Sequence, residues 1–167
     1  MSQILQHLQS AQQHVYRLAL RMLGDHGRAE DLTQDVLTAG WEDRRRLAEL
    51  ENPTGYLLRL TRHRAIDALR SHRARQRREA GSASPDRHHD TPHRRAETND
   101  TLLRIEALIH QLPTDQATVV HLRDVEGMTY QEIEAVTDLS AAQVKTYLHR
   151  GRSHLRTLIL NAKLYQP

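Results

Sequence analysis

The sequence predicts an all-α protein, and three observations carry that expectation. Phenylalanine is absent and the aromatics number one Trp and five Tyr, too few for a large aromatic-rich β core. Leu, Ala, Arg, Glu and Gln dominate, all of them good helix formers, while the alternation of a half-buried strand is hard to find anywhere. The third observation is the stretch Thr129 to Leu155, where two helix starts are written out. Thr129 pairs with Glu132 and Ser140 with Gln143 at the spacing of a capping box, in which hydroxyl and carboxylate or amide satisfy orphan backbone donors. Two helices therefore begin about eleven residues apart across a short turn, which is the pattern of a helix-turn-helix.

The 167 residues, 38% of them hydrophobic, suffice for one medium domain or two small helical ones. Ile4, Leu8, Ala11, Val15, Leu18 and Met22 form an apolar stripe that predicts a first helix, ended by Gly24 to Gly27. A second is expected from about Arg28 to Trp41, with Leu32, Val36 and Ala39 inward. A third begins at Asn52, a good N-cap ahead of Pro53 at N1, and turns Leu57, Leu58, Ala65 and Leu69 toward the core. These define a three-helix unit over residues 1–75. From 76 to 99 the periodicity vanishes into a polar stretch with one Gly and two Pro and almost nothing to bury, so a flexible linker is expected.

Helical patterning resumes at Leu102, Leu103, Ile105, Leu108 and Ile109, halts at Pro113, and restarts through Val119, Val120 and Leu122 to a turn at Gly127. With the helix-turn-helix this makes a second unit, residues 100–163. Ile133, Val136 and Leu139 would pack its penultimate helix on the last one, whose inner row is Val144, Leu148, Gly151 and Leu155. Gln143, Lys145, Thr146, His149, Arg150 and Arg152 fall mainly elsewhere. Such a row suits a DNA major groove, where Gln pairs with adenine, Arg or Lys with guanine, and Thr offers methyl or hydroxyl. The alternative is an ordinary amphipathic surface helix; the packing of the preceding helix favours DNA.

Cysteine is absent, which removes disulfides and thiolate metal sites and fits a reducing cytosol. No apolar run approaches the roughly 20 residues that cross a bilayer, and MSQILQHLQS lacks signal-peptide character, so no membrane insertion and a cytoplasmic location are expected. His88, His89 and His93 sit in the linker without carboxylate spacing, so no metal is expected. There is no Walker A sequence, nucleophile elbow or HExxH, so neither catalytic residues nor a cofactor are expected and the chain does not read as an enzyme.

Lys plus Arg number 24 against 21 for Asp plus Glu, and the net charge of +3 is too small to announce nucleic-acid binding by itself. Its distribution says more: Glu30, Asp31, Asp35, Glu42 and Asp43 precede a crowd of arginines at 59, 62, 64, 70, 73, 75, 77 and 78. One acidic and one basic face imply two different partners. Glu30 and Asp31 are explained in part as helix N-terminal acids, whereas Asp35, at i+4 from Asp31, points to a basic partner surface. Arg59, His63 and Arg70 fall along one side of the third helix with Arg62 beside them, suited to phosphate; Tyr56 is either a base-stacking platform or a half-buried core residue.

Taken in order, these segments resemble an extracytoplasmic-function (ECF) sigma factor, the compact two-domain initiation factor of bacterial RNA polymerase. AEDLTQDVL at 29–37 is similar to the family's polymerase-clamp-binding helix, NPTGYLLRLTRHRAIDALR at 52–70 to its promoter-opening and −10-reading segment, and residues 112–156 to its −35-reading domain. The resemblance implies a sigma region 2-like first unit and a sigma region 4-like second unit. Asp31, Leu32, Gln34 and Asp35 would dock on the clamp helices of the polymerase largest subunit, with the flap of the second-largest subunit as a further contact. Tyr56, Arg59 and His63 would lie at the melting and −10 capture region, with Arg62, Asp67 and Arg70 supporting it or meeting phosphate. Ala142, Gln143, Lys145, Thr146, His149 and Arg150 would read the −35 duplex. An anti-sigma factor or another recruiting regulator is the remaining partner the family implies. The chain departs from the family pattern with Tyr56 for Trp, His63 for Asn, Glu134 for Ala, and Asp138 for the Gly of the turn. A polymerase-independent helix-turn-helix regulator, or a helical adaptor for protein or RNA, are the alternatives.

Overall fold

Seven α-helices and no strand are present among the described residues of the computed structural model, which are 2–79, 108, 109 and 111–164. They are α1 (Ser2–Leu23), α2 (His26–Glu42), α3 (Arg44–Glu49), α4 (Pro53–Glu79), α5 (Thr114–Val120), α6 (Tyr130–Thr137) and α7 (Ala141–Leu164). On α1 the expected stripe is the buried one, with Ala11, Val15 and Leu18 fully enclosed. The helix stops at Gly24, whose left-handed φ of 67° lets its N–H reach the Leu20 carbonyl at 2.8 Å. Asp25 then caps α2 by accepting from the Arg28 N–H at 2.7 Å, so α2 starts at His26, earlier than expected. Glu30 and Asp31 consequently lie beyond the first turn, and the helix dipole does not account for them.

The sequence reading passes over α3, whose six residues carry one buried apolar side chain, Leu47. α4 begins as expected, with Asn52 Oδ1 accepting from the Gly55 N–H at 2.8 Å, and buries Leu57, Leu58, Thr61 and Ala65. It runs on through Glu79, so the first four residues read as linker continue the helix; Gln, Arg and Glu all favour that state. The rest of that linker, with His88, His89 and His93, lies outside the described residues, as do Leu102, Leu103 and Ile105.

After Pro113, α5 passes into a π-helical turn over His121–Val125, closed by the Glu126 N–H on the His121 carbonyl at 3.1 Å. Both capping boxes form. Thr129 N–H donates to Glu132 Oε2 at 2.7 Å, and Ser140 N–H donates to Gln143 Oε1 at 2.9 Å. Val144 and Leu148 of α7 are buried against α5 and α6, and Gly151 permits the close approach. A Cβ there would stand 2.7 Å from Val120 Cγ2 and 3.2 Å from the Gln116 carbonyl.

The units do not stand apart. α4 packs along α6 and α1 touches α5, so the buried apolar residues of both halves form one continuous cluster. Nothing in the periodicity of either half announces that contact.

Candidate nucleic-acid and partner interfaces

Three surfaces hold the residues singled out from sequence, and the structure treats them differently. On α7, Ala142, Gln143, Lys145, Thr146, His149 and Arg150 are all exposed, opposite the buried row of Val144, Leu148 and Gly151. Gln143 is already employed, because its Oε1 accepts from both the N–H and the hydroxyl of Ser140 at 2.9 and 3.1 Å. The Thr146 hydroxyl donates back to the Ala142 carbonyl at 2.8 Å, which leaves its methyl for a base edge. Arg152 is held by Asp124, Nε donating to Oδ2 at 3.0 Å, so it does not join the free cations of the row.

On α2, Asp31, Gln34 and Asp35 are exposed, and neither Asp has an ion pair among the described residues. Leu32 lies inward, as its place in the helical period expects. It is 7% exposed and belongs to the core, so it floors a shallow depression that Arg28, Asp31, Asp35, Arg64 and Asp67 also line.

On α4 the picture reverses. Arg59 Nη2 lies 2.7 Å from Asp138 Oδ1, and His63 Nε2 lies 3.1 Å from the other oxygen of the same carboxylate. Arg62, 11% exposed at its side chain, donates to Asp115 Oδ1 at 3.1 Å. Asn52 Nδ2 reaches Glu132 Oε1 at 3.3 Å. Tyr56 is half-buried, its hydroxyl donating to Asp43 Oδ2 at 3.4 Å while the Arg46 guanidinium stands 5.5 Å from its ring centroid. Only Arg70 of this group faces solvent with no more than a loose pairing to Asp67 one turn away, at 3.7 Å.

The contact between the halves is centred on Glu126, which sequence reasoning passed over. Arg17 donates to it through Nε and Nη2 at 2.8 and 2.7 Å, His14 Nδ1 meets the same carboxylate, and His121 Nε2 lies 3.2 Å away. The side chain is 1% exposed. Burial alone would raise its pKa, but the adjacent His121 ring and hydrogen bonds from Arg17 and His14 outweigh that and hold the carboxyl far below the ordinary range. That bond in turn raises the Arg17 guanidinium. Nearby, burial lowers Arg21 to about 10, and its Nη2 donates to the Ile109 carbonyl at 3.0 Å. His14 and Arg17 lie far from Glu126 in the chain, as do Arg59 and His63 from Asp138, and Asp138 at a turn position that favours Gly is the one local signal that could have disclosed any of these contacts.

Two segments of the chain match known family models. Residues 8–75 match the family model for sigma-70 region 2, and residues 102–155 match the one for sigma-70 region 4. ECF RNA polymerase sigma factor SigE of Mycolicibacterium smegmatis is 34% identical over 147 residues, which cover 85% of this chain and 56% of that protein. ECF RNA polymerase sigma factor SigK of Mycobacterium tuberculosis is 31% identical over 150 residues, 86% of this chain and 77% of the relative. Among solved structures, the sigma factor RpoE in complex with the anti-sigma factor NepR from Bartonella quintana superposes with a TM-score of 0.80 at 20% identity, covering 95% of this chain and 98% of that one. No described helix is long and apolar enough to cross a membrane.

Proposed function

The chain belongs to the ECF RNA polymerase sigma factors, and from that premise we propose that it binds core RNA polymerase and directs initiation at promoters carrying −35 and −10 elements. The observation that carries the reading is the presence in one chain of an unpaired acidic face on α2 and an exposed, capped row of readers on α7. Asp31, Gln34 and Asp35 on the α2 face dock on the clamp helices of the largest subunit, with Leu32 beneath them as the floor. The α7 row, Ala142 to Arg150, reads the −35 duplex, and the second unit also contacts the flap of the second-largest subunit. Tyr56, Arg59, Arg62, His63 and Arg70 of α4 hold the opened −10 strand. Base stacking contributes about 1–3 kcal/mol per base, comparable with the few kcal/mol needed to extrude one, so no nucleotide-driven step is required.

The protein therefore acts in the cytoplasm as a binding factor and not as an enzyme, without metal or cofactor. Two turns of duplex span about 70 Å, and docking of both units on polymerase sets the spacing of the two promoter elements. An anti-sigma factor or another recruiting regulator acts on the same surfaces, in keeping with the partner of the Bartonella protein. The test is reconstitution with core polymerase and run-off transcription from a promoter library, which should yield defined start sites. Asp35→Arg should weaken association with core polymerase and leave the helical fold intact. Tight duplex binding by the isolated protein, with no polymerase association and no initiation, would instead make it a polymerase-independent regulator.

A further inference from the structure

Asp138 occupies a place where a side chain is not needed by its own domain. It ends α6 in the left-handed region at φ 60° and ψ 20°, the one non-glycine residue with positive φ among the described residues. Glycine adopts that conformation without steric penalty, and the helix end is closed by the Asp138 backbone N–H on the Glu134 carbonyl at 2.9 Å, which glycine would also supply. The carboxylate itself makes its ion pairs across the interface. Each oxygen takes a different cationic or hydrogen-bonding group of α4, Arg59 at 2.7 Å and His63 at 3.1 Å, two residues one helical turn apart. Two oxygens bridging a guanidinium and an imidazole satisfy the same donors that a backbone phosphate would.

We infer that Asp138 is a built-in plug of the strand-holding face: in the closed protein its carboxylate stands in for nucleic-acid phosphate on Arg59 and His63, and it must leave before single-stranded DNA can be held there. The inference rests on the proposed role of α4. Asp115 on Arg62 and Glu132 on Asn52 extend the mating surface along the same helix. The plug is suited to exchange because it is open to water. Arg59, His63 and Asp138 keep side-chain exposures of 48%, 45% and 47%, against 1% for Glu126. Exposed pairs are individually weak and screened by salt, so a polyanion can displace them once the domains separate.

The experiment uses the full chain and a fluorescein-labelled, random-sequence single-stranded DNA of about twelve nucleotides, followed by anisotropy at low salt. Asp138→Gly, which places the preferred residue at this turn, should tighten binding by roughly fivefold or more, the scale of two exposed pairs released. Arg59→Ala added to Asp138→Gly should abolish the gain. Glu30→Gln, the same change of net charge on α2, should alter affinity less than about twofold. Equal affinity of Asp138→Gly and the parent protein, or a gain matched by Glu30→Gln, overturns the plug. Run-off transcription with core polymerase separates the two failures. No initiation by the parent protein defeats the functional reading, whereas initiation with no tightening by Asp138→Gly defeats the plug alone.

Discussion

The two helices proposed to meet DNA, α7 and α4, are in opposite states within one molecule. The readers of α7 lie open on the surface, backed by a buried row, while Arg59, Arg62 and His63 of α4 are each paired with an acid of the second unit. The difference teaches that surface availability here is set by domain packing and not by residue type. A duplex could approach α7 without rearrangement; a separated strand could not reach the paired part of α4 until the halves part. The α2 acids resemble α7 in being open, so the closed molecule presents the groups proposed to meet polymerase and duplex while covering those proposed to hold the separated strand.

The largest effect on that contrast should come from Glu126. Removing this carboxylate breaks its bonds to Arg17, a loss smaller than the roughly 3–5 kcal/mol of a fully buried pair because the Arg17 side chain is 39% exposed. Glu126→Gln should therefore open the molecule, seen as a larger radius of gyration by small-angle scattering, and α4 should then become as available as α7. An unchanged radius would mean that apolar packing, not the Glu126 cluster, holds the halves together.

Acid should act through the same carboxylate. A carboxyl held below its ordinary value stabilises the state that holds it at pH above that ordinary value, and the contribution is lost as pH falls toward the folded value. Closure should thus be level from neutrality to about pH 5 and weaken only below about pH 4. Glu126→Gln should lack that step. Opening of the parent protein between neutrality and about pH 5 would assign the control to groups other than this carboxylate.

Gly151→Ala tests whether the α7 side of the comparison has its own foundation. The added methyl meets Val120 and the Gln116 carbonyl, and overpacking of this kind costs about 1–3 kcal/mol. Chemical denaturation followed through the second unit should show that loss, and duplex binding should fall with it. Unaltered stability would mean that α5 yields readily and does not fix the reader row.

Much of this was legible because it is local. The capping boxes at Thr129 and Ser140, the Asn52 cap and the buried rows of α1 and α7 each follow from residues within two turns of one another. α3 was not legible because one buried Leu47 among six residues generates no period. The start of α2 was misjudged because Gly27 hides inside its first turn, and Asp25 was not weighed as a cap. The Glu126 cluster and the Asp138 pairs join residues from different halves, and no spacing rule within either half encodes them. Leu32 is buried as its periodicity expects.

The smallest effect sharpens the comparison most, because it asks what Gln143 is for. Both boxes are alike in form, yet Glu132 offers its second oxygen to Asn52 across the interface, while Gln143 stands in the open reader row. Thr129→Ala and Ser140→Ala should each lower stability by about 1 kcal/mol, the usual loss of a helix cap. Only Thr129→Ala should also loosen the halves, since it removes one of the two donors that orient Glu132 toward Asn52. Ser140→Ala removes the hydroxyl donor to Gln143 Oε1 and keeps the backbone N–H donor, so it loosens but does not free the oxygen that a bidentate contact to adenine requires together with the amide nitrogen. If Gln143 reads a base, Gln143→Ala must weaken a selected −35 duplex by about 1–3 kcal/mol, and Ser140→Ala must weaken it distinctly less. Equal losses in a titration of the two variants would reduce Gln143 to a cap and leave sequence choice to Lys145, Thr146, His149 and Arg150.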